Sequence, residues 1–60
     1  MDLVIKKSFN GVTAITLNNE TTRNALSVEM FDELEKAITN ISNDTRAVLL
    51  SGKGNIFCSG

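Results

Sequence analysis

The hydrophobic and polar residues of this chain change their spacing along its length, and these changes divide the chain into strands and a helix. Two short runs rich in β-prone residues come first, at residues 3–9 and 12–17. Residues 27–41 then place hydrophobic side chains three and four positions apart, which is typical of an amphipathic helix. A last hydrophobic run covers residues 46–51. The pattern therefore predicts two strands, a helix and a third strand.

The first two predicted strands are joined by Asn10 and Gly11. An Asn-Gly pair between two β-prone runs predicts a tight hairpin, because both positions of a type I′ turn need a positive φ. In the returning strand, Thr13, Ile15 and Leu17 share one face. We expect an antiparallel hairpin over residues 3–17.

The predicted helix, residues 27–41, has one hydrophobic side. Ser27 is the candidate N-cap, since its hydroxyl can accept a hydrogen bond from a free backbone N–H of the first turn. A one-sided helix of about four turns must pack against another element, and the flanking strands are the available surface. Its hydrophobic side consists of Met30, Phe31, Leu34, Ala37, Ile38 and Ile41.

The third predicted strand does not alternate. Its centre, residues 47–50, is hydrophobic at every position. A continuous hydrophobic strand is expected where both faces of a parallel sheet are covered. The second strand, the helix and the third strand therefore predict a βαβ unit with a right-handed crossover, and hence an α/β fold.

A single helix can cover only one face of this sheet. No other segment of residues 1–60 is available to cover the second face or to pair with the exposed edges. We therefore expect the chain to be the N-terminal part of one longer α/β domain. The alternative is a complete small domain that shields its second face by self-association.

Composition narrows the classes of function. With one cysteine and no histidine, the chain has no internal disulfide, no His-based metal site and no His general base. The net charge of −1 gives no reason to expect nucleic acid or an anionic membrane as a partner. The hydrophobic runs are far shorter than the roughly 20 residues of a membrane span, and the N-terminus lacks a signal-peptide pattern. We expect a reducing, cytoplasmic location.

Ligands of open α/β sheets bind beyond the carboxyl ends of the parallel strands. Two segments follow those ends here, residues 18–26 and residues 52–60, and we expect them to be neighbours in space. Arg23 stands just before the helix, where an arginine suits an anionic ligand such as phosphate. The alternative for Arg23 is an ordinary surface arginine.

The second of these segments is rich in glycine, but its spacing matches neither the dinucleotide fingerprint nor the phosphate-binding loop. Gly52 and Gly54 are predicted to occupy turn positions that need a positive φ, with Lys53 solvated between them. Gly60 follows a hydrophobic run, and we expect another group to approach its backbone closely. Cys58 is interpreted as a small buried hydrophobic residue rather than a nucleophile.

Taken together, the motifs of the chain resemble those of the crotonase superfamily, the enoyl-CoA hydratases and isomerases and their relatives. The similarity runs in order along the whole chain. The motifs that carry it are Asn10-Gly11-Val12 with the strand to Leu17, Arg23-Asn24-Ala25-Leu26, the helix from Met30 to Leu34, Arg46-Ala47-Val48-Leu49-Leu50-Ser51-Gly52, and Phe57-Cys58-Ser59-Gly60. The resemblance implies the N-terminal ββαβ portion of a crotonase-like (ClpP/crotonase) spiral fold, incomplete in this chain. One departure is the loop at residues 18–22, which lacks the proline that many relatives have.

The resemblance also implies a site. Arg23 matches a position that often contacts a phosphate of coenzyme A, Ala25 and Leu26 match the loop lining the coenzyme A pocket, and Ser59 and Gly60 match the segment along which coenzyme A lies. The family's backbone oxyanion hole and catalytic carboxylates fall beyond Gly60. No catalytic or metal-binding residue is therefore expected within residues 1–60.

What the resemblance implies for function is an acyl-CoA enzyme, of the hydratase or isomerase type, whose substrate is a coenzyme A thioester and which needs no other cofactor. A homotrimer or hexamer is expected for the full-length protein, and this chain alone is expected to be inactive. The alternative is a small non-catalytic α/β module that binds a partner through its exposed sheet face or edge.

Overall fold

The computed structural model describes residues 2–60 and contains the predicted elements in the predicted order. They form one three-stranded sheet in the order β1-β2-β3. A short 3-10 turn, Glu20–Thr22, lies between the hairpin and the helix. The elements are β1 (Val4–Phe9), β2 (Val12–Leu17), α1 (Val28–Thr39) and β3 (Ala47–Gly52).

The hairpin and the parallel crossover are both confirmed. Strands β1 and β2 are antiparallel, and the turn residues Asn10 and Gly11 have φ values of 51° and 79°. Both values are positive, as the Asn-Gly pair predicts. Strands β2 and β3 are parallel and in register from the Val12–Ala47 pair onward, so α1 is the connection of a βαβ unit.

Helix α1 is capped at both ends by side chains. The Oγ of Ser27 accepts a hydrogen bond from the backbone N–H of Met30 at 3.1 Å, which confirms the predicted N-cap. The helix ends at Thr39, two residues before the predicted end at residue 41. At that end the side-chain amide of Asn40 donates to the carbonyl of Lys36 at 2.9 Å. The same carbonyl accepts the backbone N–H of Asn40 at 3.2 Å, so the side chain reinforces the last turn at the point where the helix ends.

The core lies between α1 and one face of β2. That face was predicted from Thr13, Ile15 and Leu17, and all three are at most 2% exposed. Thr13 is polar, but its hydroxyl is hydrogen-bonded to those of Ser8 and Thr45 at 3.1 and 2.8 Å, so its burial leaves no group unsatisfied.

The predicted hydrophobic side of the helix is only partly buried. Met30 and Ala37 are buried, but Phe31 and Ile38 are 54% and 51% exposed, so the prediction is wrong for these two residues. The physical reason is the position of α1, which packs towards β1. The buried side of the helix therefore contains Met30 and Ala37. Phe31 and Ile38 each follow one of these residues directly and are turned from it by about 100° around the helix axis.

Strand β3 is one of the two edge strands of the sheet, and its large hydrophobic side chains are exposed. Val48, Leu49 and Leu50 are 51%, 59% and 47% exposed. Val48 and Leu50 pair with Thr13 and Ile15 and therefore share the helix side of the sheet, whereas Leu49 is on the other side. Within residues 2–60, neither face of this hydrophobic strand is covered. The expectation of an uncovered face is confirmed, and α1 leaves β3 open on the helix side too.

Candidate functional site

The loops that follow β2 and β3 meet at the carboxyl ends of the two strands, as predicted. The backbone N–H of Leu26 donates to the carbonyl of Gly60 at 3.0 Å. The hydroxyl of Ser59 donates to the carbonyl of Thr22, also at 3.0 Å. We call this contact between residues 18–27 and residues 53–60 the loop junction.

Asn24 lies at the centre of the loop junction and is completely buried. Its Oδ1 accepts a hydrogen bond from the backbone N–H of Asn19 at 2.7 Å. Its Nδ2 donates to the carbonyls of Lys53 at 3.1 Å and Ile56 at 3.0 Å. One side chain thus connects its own loop to two points of the other loop, and all of its polar atoms are satisfied.

No role was predicted for Asn24 from the sequence. The signal that was available is conformational, because Asn24 has a φ of 58° and asparagine tolerates the left-handed region better than most residues. The neighbouring Arg23 has a φ of 53°. Two consecutive residues in this region turn the chain sharply between the 3-10 turn and α1.

Close packing explains why β3 ends in a glycine, Gly52. A Cβ on Gly52 would lie 2.5 Å from the carbonyl oxygen of Phe57 and 3.0 Å from the Nδ2 of Asn24. Gly52 does not have a positive φ, so the predicted reason for this glycine is wrong, and the close approach of Phe57 is the actual one. Gly54 does have a positive φ, 93°, as predicted.

At Gly60 the backbone conformation, and not close packing, explains the glycine. Within residues 2–60, no atom of another segment lies within 4 Å of the place where a Cβ of Gly60 would stand, so close packing at that position does not require a glycine. Its φ is 107°, a conformation that favours glycine. The contact of Gly60 with the rest of the site is made by its carbonyl, through the bond from Leu26.

A polar pocket of about 260 Å³ opens beside the loop junction. Arg23 and Lys53 bring two cations to it, and Glu20 brings one carboxylate. This balance of charge favours an anionic ligand. Both cations are exposed, which agrees with the prediction of a solvated Lys53. The residues that line the pocket are Glu20, Arg23, Lys53, Gly54, Asn55 and Ile56.

The five residues proposed from the resemblance all belong to the loop junction or its pocket. Arg23 lines the pocket. Ala25 is half-buried, and its backbone N–H donates to the carbonyl of Thr22 at 3.1 Å. Leu26 is 37% exposed and is held to Gly60 by its backbone, while Ser59 is held through its hydroxyl. The structure therefore brings these residues together, and their contact with a ligand stays a prediction.

The described residues offer no set of side chains for metal binding. Within residues 2–60, no three histidine, cysteine or acidic residues lie close enough to share a metal ion. The same part of the chain contains no helix that meets the length and hydropathy needed to cross a membrane. Cys58 is half-buried, not fully buried as interpreted from the sequence, and is a free thiol.

Comparison with known proteins identifies the family. The family model described as enoyl-CoA hydratase/isomerase matches residues 7–60. The chain belongs to the enoyl-CoA hydratase/isomerase family. It is similar to the mitochondrial enoyl-CoA hydratase domain-containing protein 3 of Xenopus laevis, with 38% identity over 60 residues that cover 97% of this chain and 20% of the relative. It is also 36% identical over 58 residues to the ethylmalonyl-CoA decarboxylase of Gallus gallus, covering 93% of this chain and 20% of that protein.

A solved structure confirms the fold class that the enoyl-CoA hydratase/isomerase resemblance implied. Human enoyl coenzyme A hydratase domain-containing protein 3 superposes with a TM-score of 0.91 at 32% identity, covering 97% of this chain and 24% of that chain. Strands β1 to β3 and helix α1 therefore form the ββαβ portion of a crotonase-like fold. The chain spans about a fifth of the length of these curated relatives. Membership shows an enzyme family, and since one relative is named a decarboxylase, it does not specify the reaction.

Proposed function

We propose that these residues form the N-terminal part of an acyl-CoA-processing enzyme, of the enoyl-CoA hydratase or isomerase type. The loop junction carries this proposal. It places Arg23 and Lys53 around one pocket and holds the Ser59–Gly60 segment beside the loop that contains Leu26. A coenzyme A thioester combines an anionic nucleotide with a long neutral arm, so a cationic pocket next to a fixed backbone segment suits both parts of it.

The proposed chemistry is stabilisation of an enolate. Two backbone N–H groups would donate to the thioester carbonyl, and they would bind most strongly when negative charge develops on its oxygen. By the family resemblance, the first of these donors belongs to the residue that would follow Gly60, and the catalytic carboxylates lie further along. The residues described here would then bind and orient the substrate, and the chain by itself would be inactive.

The remaining assignments stay predictions. They are a coenzyme A thioester as substrate with no separate cofactor, a homotrimer or hexamer as the full-length assembly, and a cytoplasmic location. Each follows from the family resemblance or the composition of the chain.

The experiment changes Arg23 to Ala in the full-length protein and compares two substrates. One is an acyl-CoA, and the other is the same acyl group on a truncated thioester that lacks the nucleotide phosphates. We expect the KM for the acyl-CoA to rise about 10-fold, which is the loss of one charge-assisted hydrogen bond, and the KM for the truncated thioester to stay unchanged.

Lys7→Ala is the matched control, because Lys7 is an exposed cation on β1 that does not line the pocket. It should leave both KM values unchanged. An equal loss for the two thioesters in Arg23→Ala would contradict the phosphate-binding role of Arg23.

A non-catalytic interaction module is the second candidate function. The observation that favours it is the hydrophobic edge strand β3, exposed on both faces within residues 2–60. An exposed strand edge can pair with a partner strand. This candidate requires the 60-residue chain to fold on its own as a compact monomer, which circular dichroism and light scattering would test.

A further inference from the structure

We propose that Asn24 is a positioning residue that sets the distance between the Arg23 and Lys53 cations across the pocket. This inference rests on the proposed function, since it concerns how the same site recognises the phosphates of coenzyme A. It assigns Asn24 no contact with the substrate.

The hydrogen bonds of Asn24 connect the two walls of the pocket. Lys53 and Ile56 are the first and last residues of the turn that forms one wall, and the Nδ2 of Asn24 donates to the carbonyls of both. The other wall contains Glu20 and Arg23. Asn24 follows Arg23 directly in the chain, so its side chain holds the turn at a fixed distance from the backbone of Arg23.

The opposite end of the same side chain fixes the other wall. Its Oδ1 accepts the N–H of Asn19, and its own backbone N–H donates to the carbonyl of Asn19 at 2.8 Å. Asn19 is the N-cap of the 3-10 turn that carries Glu20. The side-chain amide of Asn24 is therefore the one group that holds the backbone of both walls, among the hydrogen bonds of residues 2–60.

Asparagine meets all the requirements of this position. Two carbonyls must receive donors from one nitrogen, one N–H must find an acceptor, and the backbone must adopt a φ of 58°. A side chain that is 0% exposed has no room for water to replace a lost bond. Aspartate keeps the acceptor but has no donor, and its charge would face two carbonyl oxygens.

The consequence for binding is pre-organisation. With Asn24 present, the two cations are attached to walls of fixed separation before the ligand arrives, so less conformational entropy is lost on binding. Without the amide, both cations remain and the backbone N–H of Lys53 still donates to the carbonyl of Leu17 at 2.8 Å, but the turn that follows Lys53, up to Ile56, can move. Affinity for the nucleotide phosphates should then fall, while the acyl arm, which binds elsewhere along the loop junction, should be unaffected.

The experiment uses Asn24→Gly in the full-length protein, because glycine keeps the left-handed backbone while removing the side chain. We expect the KM for the acyl-CoA to rise about 5-fold because the pocket is less pre-organised, with kcat and the KM for the truncated thioester unchanged. Asn43→Gly is the matched control, since Asn43 is an exposed asparagine in the turn before β3, and it should change neither KM.

Three outcomes decide between the explanations. An equal change for both thioesters, or a loss of active protein with the KM ratio unchanged, would show a merely structural role and overturn the inference. A KM ratio that shifts in Arg23→Ala but not in Asn24→Gly would overturn the inference and leave the proposed function standing. A ratio that shifts in neither variant would overturn the inference together with the phosphate-binding role of Arg23.

A second variant covers the case in which Asn24→Gly is not recovered folded. Asn24→Asp keeps the size of the side chain and the bond from Asn19, removes the two donors to the pocket wall and adds a negative charge. The rise in the KM for the acyl-CoA should be at least as large as in Asn24→Gly, because the added charge also repels the phosphates, and the KM for the truncated thioester should again stay unchanged. Failure of both variants to fold would overturn the inference, because Asn24 would then be needed for folding and not for the spacing of the cations.

Discussion

The loop junction and strand β3 lie next to each other, yet they depend on the rest of the molecule in opposite ways. In the loop junction, a completely buried asparagine finds every partner it needs inside residues 2–60. In β3, three consecutive large hydrophobic residues are each about half exposed or more. The candidate site is thus formed by contacts within residues 2–60, whereas the hydrophobic surface of the strand beside it is left open.

The comparison shows that the contacts which position the groups of the site are not the ones that supply most of the stability of the fold. Polar contacts such as those of Asn24 determine where groups lie, but each contributes only about 1 kcal/mol net. Burial of hydrophobic surface supplies most of the stability of a fold. The loop junction, whose polar groups are all paired, therefore has a defined geometry. The uncovered β3 leaves the chain with little buried hydrophobic surface to stabilise that geometry.

The largest effect is expected for the 60-residue chain on its own. We expect it to associate or to melt without cooperativity, because Val48, Leu49 and Leu50 remain exposed. Circular dichroism and light scattering measure this directly. Leu49→Lys should increase the monomeric fraction, and Asn43→Lys, which adds the same charge at an exposed polar position, should not.

A compact monomer with cooperative melting would contradict this prediction. It would show that β3 needs no cover, and it would favour the non-catalytic module over the enzyme.

A smaller effect is expected from Gly52→Ala in the full-length protein, on the loop-junction side of the comparison. The new methyl group would lie 2.5 Å from the carbonyl oxygen of Phe57, so the loop would have to move. We expect a loss of about 1–3 kcal/mol in the free energy of unfolding, measured by urea denaturation. Wild-type stability in this variant would mean that the two loops are not packed as described.

Patterns confined to neighbouring residues predicted the fold well. The positive φ values at Asn10 and Gly11 and the cap at Ser27 depend on residues at most three positions apart, and all are confirmed. The helix pattern was less decisive, because the spacing of Phe31 and Ile38 is compatible with the buried side but the packing direction of α1 excludes them. The packing direction of α1 depends on tertiary contacts, so the spacing of hydrophobic residues along the helix does not predict it.

The position of the candidate site was predicted from the sequence, but the contacts that form it were not. Strand topology brought the two loops together as expected, and Arg23 does line a pocket. The role of Asn24 depends on Lys53 and Ile56, which are 29 and 32 positions away in the chain. The reason for Gly52 likewise depends on the fold of the following loop around Phe57. No local pattern records such contacts.

The most direct test of a coenzyme A site at the carboxyl ends of β2 and β3 is amide hydrogen exchange of the full-length protein with and without an acyl-CoA. Binding should slow exchange in both loops of the junction, at residues 22–26 of the first loop and residues 53–60 of the second. It should leave the turn at Asn10 and Gly11 unchanged, since that turn lies at the opposite end of β2. Protection at that turn, or no protection in the two loops, would contradict the proposed location of the site.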